Sequence, residues 1–134
     1  MSRVQGVGRR PADGAPAGIT PGLDHIALTV PDLDAQVDRL TGAFGFVVES
    51  RMEVFTVLSD PVSGLKVELG RSDDAEVHFR HLGFCADDVD GPHDRLVAAG
   101  MASSEAPHRR DFAGMYTSYL TQPGGCEVQL VRYD

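Results

Sequence analysis

Two segments of this 134-residue chain repeat in the same order, and this duplication constrains the fold more than any other feature. Shifted by 56 residues, residues 25–43 align with residues 81–99, and seven of the 19 paired positions are identical. With five more residues inserted, residues 63–71 align with residues 124–132. Self-similarity at a fixed spacing indicates that one structural unit is used twice. We therefore predict a duplicated module of about 55 residues.

The first module begins with a strand pattern and continues with a helix pattern. Residues 25–30 alternate between apolar and polar side chains, which predicts a half-buried strand. Asp32 then stands where it can cap a helix, and Gly45 stands at the C-cap position. Between them runs one apolar stripe, formed by Leu33, Val37, Leu40 and Phe44. Further strands are predicted near 46–50, 52–59 and 65–70, separated by the turn signals Asp60-Pro61 and Ser63-Gly64.

The second module repeats this order. It is predicted to contain a strand at 79–86, a helix at 88–99 followed by Gly100, and strands near 115–121 and 126–132. Each module is therefore β-α-β-β-β, and the predicted fold class is α+β. We expect the two tandem modules, about 22–72 and 78–134, to form a single domain (22–134) with a cupped mixed sheet and helices outside. Residues 1–21 are predicted to be a disordered tail, because they are rich in glycine, proline and alanine and lack an apolar period.

Composition excludes several classes of protein and partner. No apolar run approaches the roughly 20 residues of a membrane span, and residues 1–20 lack the apolar core of a secretory signal. We therefore expect a cytoplasmic protein with no membrane partner. The net charge of −8 would repel a phosphate backbone, so nucleic acid is not an expected partner. Cys85 and Cys126 are too few for a disulfide scaffold or a thiolate zinc site.

The repeat also identifies candidate functional residues. Strand parity places His25 and His81 off the apolar face of their strands, beside small residues that leave room for a ligand. The same parity places Glu68 and Gln129 off the apolar face of the last strand of each module. These four residues occupy two pairs of equivalent positions. Because imidazole and carboxylate groups are good ligands for first-row divalent metals, we predict that the set binds a metal ion.

Other residues have simpler interpretations. His25 and His81 taken singly could be ordinary strand histidines, and Glu68 a solvated strand residue. His93 aligns with Val37 and is therefore predicted to be a structural or surface residue, whereas His78 falls on the opposite face of its strand from His81. His108, Arg109 and Arg110 are assigned to a loop at 101–114, where they are expected to be solvated, with contact to an anionic substrate as the alternative. Tyr116 and Tyr119 either line the cup or serve in packing.

The chain resembles the vicinal oxygen chelate superfamily. This superfamily includes glyoxalase I, extradiol dioxygenases, methylmalonyl-CoA epimerase and the fosfomycin and bleomycin resistance proteins. The resemblance covers about residues 22–133. It is carried by LDHIALTVPDLD (23–34), GLKVEL (64–69), RHLGFCADDVD (80–90) and PGGCEVQL (123–130). The family places metal ligands on the first and last strands of each module, which implies His25, Glu68, His81 and Gln129. The last position is usually Glu in the family, and here it is the neutral Gln129.

The resemblance implies a metal-dependent lyase or isomerase similar to glyoxalase I or the epimerases. Such an enzyme would bind vicinal oxygens of a small-molecule substrate on a divalent ion (zinc, nickel, cobalt, manganese or iron), with Glu68 as ligand and catalytic base. The first alternative is an extradiol-type iron dioxygenase, which requires Glu68 to supply the carboxylate that the family takes from the Gln129 position. The second is a metal-free protein that binds an antibiotic. The resemblance also implies a homodimer.

Overall fold

The computed structural model describes the backbone from residue 19 and the side chains from residue 23 to the C-terminal Asp134. In chain order its elements are β1 (Ile19–Val30), α1 (Leu33–Phe44), β2 (Val47–Arg51), β3 (Phe55–Ser59), β4 (Lys66–Arg71), β5 (His78–Ala86), α2 (Asp90–Ala98), β6 (Ala102–Arg110), β7 (Met115–Thr121) and β8 (Glu127–Tyr133). A single 3-10 turn, Asp111–Ala113, follows β6. This order confirms the predicted α+β class and the two β-α-β-β-β modules. Neither helix in the described part of the chain has the length and hydropathy needed to cross a membrane.

The described residues form two compact units. The first unit is His25–His81, and its strands run in the order β2-β3-β4-β1. The second unit is residues 19–24 with Leu82–Asp134, and its strands run in the order β5-β8-β7-β6. In each unit the first strand of the module pairs in parallel with the last, and the other neighbours are antiparallel. The two units therefore share one mixed topology, as a duplicated module predicts.

The predicted tail lies almost entirely outside the described residues. The last residues of the predicted tail, 19–21, are described, because β1 begins at Ile19. The strand therefore begins ahead of the predicted domain start near Gly22. Composition gave no signal here, since a strand is held by its backbone partners and does not require an apolar period on its own sequence. The division into modules at 22–72 and 78–134 stays a prediction.

Helix α1 begins and ends where the sequence indicates. The Asp32 side chain accepts a hydrogen bond from the Ala35 backbone N–H at 3.1 Å, and Gly45 ends the helix in the left-handed conformation at φ 73°. One part of the predicted apolar stripe is wrong, because Phe44 is 68% exposed. The chain turns at Gly45, the Phe46 N–H donates to the Leu40 carbonyl, and Phe46 then packs against the core that Phe44 was expected to reach. This hydrophobic contact just past the helix end is typical of a glycine-terminated helix.

Each unit has its own apolar core, and the two cores use equivalent positions of the repeat. In the first unit the buried cluster is Val30, Leu33, Val37, Leu58 and Leu69. In the second unit it is Ala86, Val89, Leu120, Val128 and Leu130. The offset of 56 residues relates Val30 to Ala86 and Leu33 to Val89. The alternation used to predict the core face is therefore confirmed in both modules.

The position of strand β6 was not predicted. Residues 101–114 were assigned to a loop because Ala102–Arg110 contains seven polar, charged or proline residues and no apolar alternation. The structure pairs this segment with β7, with two irregularities in register between Ser103 and His108. Within the second unit β6 is the last strand in the order, and it contains Pro107. An edge strand tolerates proline, bulges and polar side chains on both faces, which is why its sequence resembles a loop.

His93 is a structural residue, as predicted from its alignment with Val37. Both side chains are almost fully buried. The His93 imidazole is held by two hydroxyls, with Nδ1 2.9 Å from Ser118 Oγ and Nε2 2.8 Å from Ser103 Oγ. These hydrogen bonds join α2 to β6 and β7. Burial lowers the pKa of His93, and the nearby carboxylates of Asp94 and Asp90 partly oppose that shift.

We predict that His93 makes stability depend on pH. Because its pKa is lower in the folded than in the unfolded chain, its contribution is fully present above about pH 6.5 and is lost as the pH falls through the folded value. The variant His93→Val copies the residue of the other module. It should lower the free energy of unfolding at pH 7.5 by about 1–3 kcal/mol, since the buried Ser118 hydroxyl loses its partner and the hydrogen bond to the exposed Ser103 is lost as well. Urea unfolding at pH 7.5 and pH 5.5 should show a smaller difference from the wild type at the lower pH. An equal difference at both values would contradict this role.

Candidate metal centre

Three of the predicted ligands lie within the first unit, His25–His81. His25 lies in β1 directly beside Lys66 of β4, and two residues further along β1 Ala27 lies beside Glu68. His81 follows in β5 at the position that the repeat pairs with His25. Parity along the strands therefore brings the polar side chains of β1 and β4 to one face, opposite the core side chains such as Leu69.

The three side chains converge closely enough to bind one ion. Nε2 of His25 lies 3.1 Å from Nε2 of His81, and the two rings meet edge to face. Oε2 of Glu68 lies 3.9 Å from Nε2 of His25. One ligand atom from each of the three residues lies within 4.8 Å of the others. Two nitrogens bound at 2.0–2.1 Å to a common ion would be roughly 3.0–3.4 Å apart, so the imidazole pair already has ligand spacing.

Burial differs across the cluster in a way that suits a site with one open side. His25 is 3% exposed and His81 is 7% exposed, whereas the Glu68 side chain is 25% exposed. The imidazoles are therefore fixed by their surroundings, and the carboxylate has contact with solvent. Fixed ligands with an open position are typical of catalytic metal sites, while structural sites are closed.

A pocket of about 160 Å³ opens beside this cluster in the first unit. It is lined by Ala27, Leu28, Thr29, Val54, Phe55, Glu68, Gly70, Arg80 and His81. A Cβ atom added to Gly70 would lie 3.4 Å from both Thr29 Cγ2 and the Val54 carbonyl, so this wall is closely packed around the glycine. The lining combines an apolar wall with four polar side chains, an arrangement typical of small-molecule sites.

Gln129, the fourth predicted ligand, lies in the second unit. It is 2% exposed, and it stands opposite Gly83 of β5 just as Glu68 stands opposite Ala27 of β1. Its amide nitrogen donates to Thr117 Oγ1 at 2.8 Å, while the Thr117 hydroxyl donates to the Leu130 carbonyl at 2.7 Å. Because Thr117 has used its proton, it must accept from the glutamine, which fixes the orientation of the amide. The amide oxygen, the atom with which glutamine can bind a metal, faces away from this bond.

The remaining candidate residues have local partners instead. His78 contacts both oxygens of Asp74, at 2.8 and 2.9 Å. His108, predicted in a loop, lies in β6, where its Nδ1 donates to the Ala106 carbonyl and its Nε2 lies 3.3 Å from Glu105. Tyr116 packs against the core of the second unit and donates to Asp90, and Tyr119 is buried under the Arg110 guanidinium. In the described structure these residues are therefore engaged in packing and surface pairing.

Sequence reasoning missed Arg80 as a residue of the pocket. It lies next to His81, and strand alternation assigned it to the opposite face. Its long side chain nevertheless reaches Thr29, whose Oγ1 accepts a hydrogen bond from Arg80 Nε at 3.0 Å. The sequence contains one indication that Arg80 is special to the second module. The repeat aligns it with Asp24, which carries the opposite charge.

The fold resembles several solved structures. Methylmalonyl-CoA epimerase from Mycobacterium tuberculosis is 19% identical, with a TM-score of 0.73 over 92% of this chain and 93% of that chain. A variant of the Streptomyces coelicolor methylmalonyl-CoA epimerase in complex with 2-nitronate-propionyl-CoA is 22% identical, with a TM-score of 0.68 over 88% and 98%. A hypothetical protein from Bacillus halodurans is 13% identical, with a TM-score of 0.67 over 84% and 94%. At these identities the likeness shows a shared fold.

Sequence comparison identifies the family. No curated protein matches the chain. The family model of the Glyoxalase/Bleomycin resistance protein/Dioxygenase superfamily matches residues 22–130, which is most of the chain. All four predicted ligands lie within the matched range. The chain therefore belongs to the Glyoxalase/Bleomycin resistance protein/Dioxygenase superfamily, also called the vicinal oxygen chelate superfamily.

Proposed function

We propose that this protein is a divalent-metal-dependent isomerase or lyase that moves a proton beside a carbonyl group of a small substrate. The observation that carries the proposal is the convergence of His25, Glu68 and His81 at the edge of a pocket. Two imidazoles and one carboxylate suit zinc, nickel, cobalt, manganese or iron. The spacing of the imidazole nitrogens fits a shared ion. We assign these three residues as its ligands.

The structural neighbours support this class of reaction. Two of them are named methylmalonyl-CoA epimerases, and one such epimerase was solved with methylmalonyl-CoA. Such a reaction begins with removal of the proton from the carbon beside a carbonyl. A carboxylate beside that carbon can accept this proton. The predicted cytoplasmic location and homodimer accompany this proposal as further predictions.

The residues of the pocket have separable tasks in this mechanism. A divalent ion bound there would supply positive charge to stabilise the negative charge left on the substrate when the proton leaves. His25 and His81 would hold that ion in a fixed place, because both are buried. Glu68 would accept the proton at a carboxylate oxygen. Leu28, Val54 and Phe55 provide the apolar lining of the pocket beside the carboxylate.

An iron-dependent dioxygenase is the second candidate, and one observation favours it. Glu68 joins the two histidines from the first module, so the cluster is a two-histidine, one-carboxylate set of the kind that binds iron in oxygenases. Elemental analysis of protein purified without a metal-affinity tag separates the candidates. Stoichiometric iron would favour the dioxygenase. Another divalent metal would favour the isomerase or lyase. Absence of metal would favour a protein that only binds small molecules.

We predict that His25→Ala and His81→Ala each weaken metal binding strongly. Changes to groups that merely support a ligand already cost 10–100-fold in affinity, so removing a ligand should cost more than about 100-fold. Titration calorimetry with Zn²⁺ and Co²⁺ on chelator-treated protein measures this loss. Added metal should also raise the melting temperature of the wild type, since it binds the folded state.

The matched control is His78→Ala, which removes an exposed imidazole from the same strand. It should bind metal with wild-type affinity. Full metal occupancy in the double variant His25→Ala/His81→Ala would show that the site lies elsewhere.

We predict that Glu68→Gln retains much of the metal but loses turnover by about 10²–10⁴-fold. The amide oxygen preserves the shape of the carboxylate, but it cannot accept a proton at neutral pH, and one general base contributes a factor of this size. Proton exchange at the carbon beside the carbonyl, followed by deuterium incorporation, gives a direct measure once a substrate is known. Glu53→Gln changes an exposed carboxylate outside the pocket and serves as the control. Normal exchange in metal-loaded Glu68→Gln would eliminate Glu68 as the base.

Gln129 stays a predicted ligand on the strength of its position in the repeat. We expect Gln129→Glu to tighten metal binding, because a charged oxygen replaces a neutral one. The same calorimetric titration measures the change, with Gln122→Glu as the control because it adds the same charge outside β8. Unchanged affinity in Gln129→Glu would count against a role in metal binding.

A further inference from the structure

Arg80 is the one cationic side chain among the residues that line the pocket of the first unit. Its Nε donates to Thr29 Oγ1, which is its only side-chain hydrogen bond to the described residues. The two Nη atoms carry four further N–H donors. Glu68 and His81 line the same pocket.

Three other arginines form ion pairs in the described structure. Arg71 pairs with Asp34, Arg110 pairs with Glu105, and Arg109 pairs with both Asp111 and Asp134. Arg80 has no carboxylate within 4.0 Å among the described residues. Asp74 lies near enough for Arg80 to help lower its pKa, but the Asp74 oxygens are occupied by His78 and the Glu76 N–H. Arg80 is therefore a guanidinium at the pocket whose side chain forms no ion pair with the described residues.

We propose that Arg80 binds a carboxylate of the substrate and thereby selects substrates that carry one. The guanidinium presents parallel N–H donors that match the two oxygens of a carboxylate. Thr29 strengthens this arrangement, because its oxygen accepts from Arg80 and its hydroxyl proton remains to donate to the same anion. A carboxylate is favoured over a phosphate, since a pocket of about 160 Å³ that also contains the Glu68 carboxylate suits a small monoanion.

This inference rests on the proposed function, because it names the class of substrate for that same site. Glu68, His81 and Arg80 share the pocket, so anchoring an anion at Arg80 would limit which carbon of the substrate meets Glu68. Arg80 is thus a substrate-binding residue that determines specificity. Its effect should appear in the binding of carboxylates whether or not the substrate is known.

The test uses two small chelating probes that differ by one carboxylate. Acetohydroxamate and malonate monohydroxamate both present vicinal oxygens to a metal, but only the second has a carboxylate. Each is titrated into Co²⁺-loaded wild type, Arg80→Gln and the control Arg71→Gln, with the cobalt absorption spectrum as readout. We expect the wild type and Arg71→Gln to bind the carboxylate probe at least tenfold more tightly than acetohydroxamate. Arg80→Gln should lose that preference while binding acetohydroxamate normally.

Two further measurements keep the two proposals separate. In metal-free protein, malonate should shift the Arg80 Nε–H signal in a nitrogen-15 NMR spectrum, and propionamide should not. If neither hydroxamate binds but malonate still shifts this signal, the metal proposal fails and the Arg80 site stands. If both hydroxamates bind but the preference is absent, or survives in Arg80→Gln, the Arg80 proposal is overturned. A stronger preference for phosphonoacetohydroxamate would overturn the assignment to a carboxylate.

Discussion

The facing Nε2 atoms of His25 and His81 are the constraint on which the rest of the site depends. At 3.1 Å, two unprotonated nitrogens would present lone pairs to each other, and both side chains are buried. Two lone pairs at that distance would repel each other. A proton shared between the rings or a cation bound by both removes that repulsion. The carboxylate of Glu68 nearby favours positive charge at this point. The arrangement therefore suits a cation.

Much of this fold could be predicted because the sequence repeats its local signals. Asp32 and Gly45 mark the ends of α1 by hydrogen bonding and backbone conformation, which depend on a few neighbouring residues. Strand alternation predicted the core face because each apolar face packs against one layer. Phe44 and β6 were predicted wrongly for the opposite reason. The position of Phe44 depends on where the chain turns, and β6 is held by its pairing with β7.

The site was predictable to the extent that it follows from backbone geometry. His25 and Glu68 belong to strands that pair in register, so parity alone places their side chains on one face. Arg80 was missed because its reach is set by the length of its side chain. A long charged side chain can extend from one face of a strand to a polar partner beyond its own row. Rules based on Cβ direction therefore locate short ligands such as histidine better than they locate arginine.

The asymmetry between Glu68 and Gln129 has an electrostatic consequence for what the site attracts. Duplication supplied two equivalent positions, yet only the first module places an ionisable side chain there. A divalent ion beside the single carboxylate of Glu68 would leave one net positive charge, and Arg80 adds another at the same pocket. The pocket would then be a positive region on an acidic protein, which favours an anionic substrate over a neutral one of the same shape.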